Sequence, residues 1–414
     1  MEIVRRDEQW ADAFSHNMAK KVSTYVLRDI ERSAILNKRT ATIGWFDHDE
    51  LRLGNLLGTG DFANVHEIEG FHLRKERKGE EYSEQETEQR KEMVEATQKK
   101  VKGKAPFVVK CLRPCKLTTD PDSFVDAAYG LVMEAHILAA LQHPHILPMR
   151  GLANEGSMAF RHGQDHFFII LDRLQTTLDL RIQEWSKQMA QYKTAVIKKA
   201  GQSGMPDLLF SGRLRVARDV SSALAYLHAN GIIYRDLKPS NIGFDMEGTV
   251  KLFDFGLARE LPAHRDDGEE FQMSSRVGTP RYMSPEVFLG ERYNEKADVY
   301  SFSLVVWEMF ALAKPFEEMS VVQFQKSVLL GEKRPELDSS WPEGIKVAIE
   351  ESWVADPQQR PSMSSVNRSV DAELQSIRRS SLPKKVAPSQ GRNLLDAPKR
   401  RSNSLKLEKQ QRHQ

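Results

Sequence analysis

The chain has 414 residues and carries 60 Lys and Arg against 58 Asp and Glu, a net charge of +2, so it lacks polyelectrolyte character and gives no global support for specific nucleic-acid binding. No apolar run approaches the ~18 residues of a membrane helix, and the opening MEIVRRDEQW lacks the apolar stretch of a signal peptide, so a soluble intracellular chain with no membrane span is expected. Its two cysteines, Cys111 and Cys115, are too few for a disulfide framework or a zinc site and are expected as reduced, buried or half-buried thiols.

Residues 1 to about 45 are mixed and charged, with Val22, Tyr25, Val26 and Ile30 at helical spacing, which predicts a short helix docked on the domain that begins near Leu51. From Leu51 the pattern turns to strand, LRLGNLLGTGDFANVHEI, with Gly58 and Gly60 at the turn and Ala63 and Val65 beyond it. Such glycines let backbone N–H groups approach a phosphate, although an ordinary hairpin turn explains the pair by itself. A dinucleotide-binding loop would need a helix next; VHEIEGFHL is strand-like instead. Arg74 to Lys104, rich in Lys, Arg, Glu and Gln, predicts a solvated insertion, helical or disordered.

FVVKCL is an apolar strand with Lys110 in its interior, where lysine seldom sits without a partner unless the strand lies at an edge and the side chain reaches water. In the helix expected from about Ser123 to Leu141, Glu134 shares a stripe with Leu131, Ala135 and Leu138, so an acid faces inward and is expected to pair with Lys110. FFIILDRL (Phe167 to Leu174) is a buried strand running into polar Asp172 and Arg173. Thr177 is placed to cap a helix through Trp185, after which 186–207 reads as a second surface insertion. Val216, Val220, Ala223, Leu224 and Leu227 make an amphipathic helix that stops at Asn230 and Gly231.

The chemistry concentrates in Tyr234 to Gly256, YRDLKPSNIGFDMEGTVKLFDFG. Ile242 to Phe244 and Val250 to Phe253 predict a hairpin that brings Asn241 and Asp254 together. Their oxygens are hard donors suited to Mg²⁺, which takes one or two protein ligands and fills its other positions with phosphate and water. Asp236 is left to orient a hydroxyl nucleophile. A lone DFG or a lone loop aspartate is an ordinary turn; in this order and spacing they leave little room for chance. Beyond lie RVGTPRYMSPE, the apolar DVYSFSLVVWEMF, read as a helix buried in the core, and DPQQRPS. Eleven Lys and Arg face two acids over 376–414, a basic tail expected to be disordered.

These motifs match the H-R-D-L-x-x-x-N and D-F-G pair of the eukaryotic protein kinases, with Tyr234 in place of the histidine and Ala63 in place of the third loop glycine. From about Leu51 to Met363 the chain resembles that family, serine/threonine type, and is most similar to its tyrosine-kinase-like group. The resemblance implies a bilobal α+β fold, a small antiparallel-sheet N-lobe with one key helix over a larger, mainly helical C-lobe. It divides the chain into an N-terminal extension (1–50), an N-lobe (51–174) with a charged insertion at about 74–104, a C-lobe (175–375) with an insertion at about 186–207, and the basic tail (376–414). It implies phosphoryl transfer from ATP, with Mg²⁺, to Ser or Thr hydroxyls of protein substrates.

Under that resemblance Lys110 holds the α and β phosphates, Glu134 orients Lys110, and Asn241 and Asp254 bind Mg²⁺. Asp236 orients the hydroxyl and Lys238 neutralises the transferring group; Lys238 with Thr279 is the serine/threonine signature. Gly58, Gly60, Ala63 and Val65 cover the nucleotide, and Leu171, Asp172 and Leu174 line its hinge. Val108 is the roof and Gly243 the floor of the adenine slot, a pair expected to compensate in volume and shift the adenine plane, unless Leu171 or Leu174 fills the floor. Asp298 is expected to hold the catalytic-loop backbone, Arg360 to pair with Glu286, and Arg235 to hold a phosphate placed on Ser274 or Ser275 by an upstream kinase. A pseudokinase scaffold has no need of intact Lys110, Asp236, Asn241 and Asp254, and small-molecule kinases usually lack the G-T-P-x-Y-M-x-P-E platform. Cytoplasmic location is expected, with nuclear entry through the basic tail as an extension of it.

Overall fold

The computed structural model describes residues 2–36, 43–60, 62–74, 76–77, 80–113, 120–198, 205–262, 266 and 268–380. After helix α1 (Glu2–Glu31) come β1 (Gly44–Phe46), β2 (Leu51–Thr59) and β3 (Ala63–Phe71). A small ribbon comes next, β4 (Glu76–Arg77) with β5 (Glu80–Glu81), then helix α2 (Glu84–Lys99) and β6 (Phe107–Leu112). Helix α3 (Pro121–Ala140) leads to β7 (Met149–Ala153) and β8 (Phe168–Asp172). Six of these strands form one sheet in the order β1-β7-β8-β6-β3-β2, antiparallel except where β1 runs parallel to β7. β8 is central and its FIIL is buried, whereas edge strand β2 leaves Leu53, Leu56 and Leu57 exposed.

The second lobe is mostly helical. After β9 (Thr176–Thr177), helices α4 (Leu178–Lys198) and α5 (Met205–Ala229) lead to β10 (Ile232–Ile233), β11 (Ile242–Phe244), β12 (Val250–Leu252) and β13 (Arg259–Glu260). The chain continues through α6 (Pro285–Leu289), α7 (Lys296–Ala311), α8 (Val321–Phe324), α9 (Glu343–Ser352) and α10 (Met363–Ser380). In α7 every residue from Ala297 to Phe310 except Trp307 is buried, the continuous apolar run expected of a core helix. Met363, Val366, Val370 and Leu374 form one buried stripe of α10, which packs along α5. At about 1.5–3 kcal/mol for each large apolar side chain, that stripe holds the end of the described chain to the lobe.

Four local expectations change. The block at 74–104 is not simply solvated: α2 begins with a Ser83–Glu86 capping box and buries Arg90, Met93 and Thr97. Arg90 donates to the buried carboxylate of Glu50 and stacks on Tyr82, 3.7 Å from the ring centroid, so a charged residue occupies a core position and disguises the stripe. The stretch 186–198 continues α4, because Ser186 to Lys198 contains no Gly or Pro to stop it. α1 spans 30 residues and buries Ala19, Val22 and Val26, while Tyr25 faces outward. Residues 376–380 belong to α10 rather than to a disordered tail; 381–414 lie outside the described residues, as does Cys115. Cys111 is buried, and burial pushes its thiol up to about 12, which keeps it protonated and inert.

Candidate active site

Lys110 sits mid-strand with Val65 beside it on β3 and Ile169 on β8. Its Nζ donates to Glu134 Oε2 at 2.7 Å and to Asp254 Oδ1 at 2.8 Å. Glu134 is 1 % exposed, and its other oxygen accepts the Phe255 N–H at 3.2 Å. One ammonium therefore joins the sheet, α3 and the segment after β12. Burial alone would lower the Lys110 pKa, but the Asp254 and Glu134 carboxylates outweigh it and hold the ammonium above its ordinary range. Asp254 is held below the usual carboxylate range by the same charge, against the effect of burial.

The loop between β10 and β11 is shaped from beneath. Asp298, at the start of α7, accepts the N–H groups of Tyr234 and Arg235 at 2.8 Å each, and His228 Nε2 lies 2.9 Å from the same carboxylate. Arg235 and Asp254 adopt left-handed φ values of +70° and +65°, a cost a non-glycine residue bears only where its surroundings hold it. Tyr234 donates its hydroxyl to Phe253 O and meets Phe255 edge to face, so the tyrosine in the histidine position bridges the two motifs.

Three groups converge on Asp236. Lys238 Nζ and Asn241 Nδ2 reach Oδ2 at 2.7 and 3.0 Å, and Thr279 N–H and Oγ1 donate to Oδ1 at 3.0 and 2.9 Å. Thr279 gets there because Gly278, with φ +99°, lets the chain pass where a Cβ would stand 2.4 Å from Arg235 O. The Asn241 amide nitrogen also donates to Asp236 O, which leaves its side-chain carbonyl oxygen as the ligand-type atom. The Phe253 N–H donates to Asn241 O, setting Asn241 beside Asp254. A carbonyl oxygen and a part-exposed carboxylate fit Mg²⁺, which keeps few protein ligands; among the described residues there is no cluster of three or more His, Cys, Asp or Glu for any other ion.

The nucleotide side is assembled from the sheet. Gly58 pairs with Val65, and Gly60 N–H donates to Ala63 O at 2.8 Å, closing the loop between β2 and β3. Val108 lies across from Leu171. Asp172 is clamped by Arg150 through two hydrogen bonds, and the Arg173 N–H is spent on Pro106 O. Leu174 decides the floor: a Cβ on Gly243 would stand 2.5 Å from Leu174 Cδ1. The space left by the glycine is thus filled by Leu174, and the expected volume exchange between Val108 and Gly243, with its shift of the adenine plane, loses its basis. Of the two readings the sequence left open, the one in which Leu174 fills the floor is the one the structure shows.

A protein kinase domain matches residues 92–370. The chain belongs to the protein kinase family. It is 33 % identical over 152 residues to a probable serine/threonine-protein kinase of Dictyostelium discoideum, covering 37 % of this chain and 16 % of that protein. A probable LIM domain-containing serine/threonine-protein kinase of the same organism is 32 % identical over 189 residues, covering 44 % and 28 %. The dual specificity protein kinase shkA, also from Dictyostelium discoideum, is 36 % identical over 159 residues, covering 37 % and 29 %. Each match takes in less than a third of the relative's length.

The kinase-domain match opens within α2, past the glycine loop, and the structure shows β2 and β3 completing the sheet ahead of it. Arg360 and Glu286 form the expected pair, with nitrogen to oxygen distances of 2.6 and 2.9 Å. Ser274 and Ser275 are exposed. Sequence reasoning missed His228 and Tyr293, whose hydroxyl accepts from Arg235 Nη1 at 3.2 Å and donates to Ser274 O at 2.8 Å. Neither carries a local signal: each is one polar residue in an otherwise ordinary stretch, and its role comes from long-range packing.

Proposed function

We propose that this kinase transfers the γ-phosphoryl group of ATP to Ser and Thr hydroxyls of protein substrates. The observation that carries the reading is the convergence of Lys238, Asn241 and Thr279 on the Asp236 carboxylate while Lys110 is shared by Glu134 and Asp254. Asp236, oriented by Thr279, accepts a hydrogen bond from the substrate hydroxyl and aims it. Lys238 stands beside the same carboxylate, where it offsets charge on the group in transit. Lys110, positioned by Glu134, holds phosphate oxygens. Asn241 and Asp254 would hold Mg²⁺, which supplies charge neutralisation on the phosphates when bound. Such chemistry is mainly positioning and electrostatic stabilisation, and each of these groups is held by at least one hydrogen bond before substrate arrives.

Regulation by an upstream kinase at Ser274 or Ser275 belongs to the same reading. Arg235 reaches the Ser274 backbone through Tyr293, and burial, followed by the charge of Arg235, lowers the pKa of Arg259. Two cations crowded together would be relieved by a phosphate. Cytoplasmic location, with nuclear entry by the basic tail, rests on composition alone. The deciding experiment is incubation of purified chain with ATP, Mg²⁺ and a generic basic protein, with phosphoamino-acid analysis of the product. Phosphoserine and phosphothreonine are expected; phosphotyrosine as the main product would overturn the assignment to Ser and Thr, and absence of transfer in both unphosphorylated and Ser274/Ser275-phosphorylated chain would overturn the activity itself.

A further inference from the structure

The Lys110–Glu134 contact depends on where α3 lies, and the element packed behind α3 is α1. The stripe Tyr129, Val132, His136 and Ala139 lies about 140° to 220° round α3 from Glu134. On the α1 side Ala19, Val22 and Val26 are 0 %, 0 % and 3 % exposed. Between the helices remains a cavity of about 260 Å³, lined by Val26, Ile30, Trp45, Val132, Ala135 and Ala139 among others. Where that pocket lies the two helices do not touch, so the polar fastenings at its ends matter. Lys21 pairs with Asp122 at the first turn of α3, 3.1 Å apart, and Ser23 hydrogen-bonds Ser157 at 2.7 Å. Tyr129 donates its hydroxyl to Asp29, and the Arg259 guanidinium sits 5.2 Å over the Tyr129 ring. Just past α1, Ser33 donates to Glu260 and the Ala34 N–H donates to Glu260 Oε1 at 2.9 Å.

Arg259 and Glu260 form β13, shortly beyond Asp254 at the head of the activation segment. The extension therefore touches both parts that must be in place for the Lys110 site to exist: the back of α3 and the chain just after the DFG motif. We propose that α1 is a positioning element for phosphoryl transfer, holding α3 from behind so that Glu134 meets Lys110 and tying that placement to the activation segment through Asp29–Tyr129–Arg259 and Ser33–Glu260. The proposal rests on the kinase reading. When α1 lets go, α3 is free to swing away, Glu134 loses both Lys110 and the Phe255 N–H, and turnover falls with the fold intact.

The test uses the full chain with Val22→Ala and Val26→Ala together, neither of which touches the cleft. The expected result is a drop in kcat of about tenfold or more with KM for the protein substrate within about twofold, and faster amide exchange in 121–140 and 257–262 together. A kcat within about twofold of the parent chain overturns the proposal, and so does faster exchange in α3 with none at 257–262. If the pair unfolds the chain, Tyr129→Phe and Asp29→Ala take its place: each should lower kcat about threefold, their combination no further, and Asp29→Asn, which keeps an acceptor, should restore turnover. Unchanged or additive effects overturn it. Lys110→Met separates the two readings. If Lys110→Met stays active the kinase mechanism fails; if it is dead while the α1 variants are fully active, only the role of α1 fails.

Discussion

Lys110 with Glu134 in the cleft and Arg360 with Glu286 in the lower lobe are both cation–carboxylate contacts, 2.7 and 2.6 Å long, yet they differ in what else the cations touch. All five N–H donors of Arg360 are used: two go to Glu286, and the others to Val354 O, Lys296 O and Ala355 O. The side chains are 0 % and 4 % exposed, and the guanidinium also lies over Tyr300. Lys110 has three donors, of which two go to Glu134 and Asp254, and Asp254 keeps 43 % of its side chain exposed. A cation whose donors are all satisfied inside the protein can only hold structure together. One with a donor to spare beside a half-exposed carboxylate can take a ligand. Glu308 is a third case, a buried acid with a tyrosine hydroxyl at 2.6 Å and no cation bonded to it among the described residues.

Breaking the cleft pair should cost activity and leave the fold. Lys110→Met and Asp254→Asn are each expected to lower kcat by about a thousandfold or more, roughly 4 kcal/mol of transition-state stabilisation, with circular dichroism unchanged. Retained turnover in a well-folded variant would remove Lys110 and Asp254 from the mechanism. Breaking the lower pair should act on stability and not on the reacting groups. Arg360→Leu leaves Glu286 buried and uncompensated, at a cost of about 3–5 kcal/mol. Denaturant melts should show it directly, and a loss below about 1 kcal/mol would mean that water reaches Glu286 in the variant.

Glu308 supplies the smallest effect and sharpens the comparison. Burial raises its pKa to about 7 from the usual 4.5, against the Tyr282 hydrogen bond and the charges of Lys314 and Arg281. Between those two values the folded chain keeps a proton that the unfolded chain has released, so this residue's contribution is full below 4.5 and is lost as pH rises through 7. Glu308→Gln keeps an acceptor for Tyr282 and removes the titration. It is expected to leave stability nearly unchanged at about pH 4.5 and to raise it by about 3 kcal/mol at about pH 8. Equal effects at both pH values would show that Glu308 titrates normally.

The placement of the cleft residues was the most legible part of the chain because it is carried by local geometry. Asp236, Lys238 and Asn241 lie on one short loop, and β11 and β12 have the apolar character and turn that return the chain to Asp254. Lys110 was singled out by its place in an apolar strand together with the kinase resemblance, and periodicity then pointed to Glu134 as its partner, since a buried charge needs one. The insertion helix α2 resisted the same logic. One of its three buried positions is an arginine, and a stripe read by hydrophobicity passes over it until Glu50 and Tyr82 are seen to receive it.

Strands β2, β3, β6, β8, β11 and β12, the core helix α7 and the order of the cleft residues along the chain were determined by the sequence, because hydrogen-bond chemistry and side-chain periodicity act over a few residues. Only the tertiary structure decided that Leu174 fills the space beside Gly243, that Tyr293 links Arg235 to Ser274, and that α1 lies behind α3 with Ser33 against Glu260. Those contacts join residues separated by 19 to 227 positions. Each depends on how whole elements pack against one another, and packing is a property of volume and direction in space that no local pattern encodes.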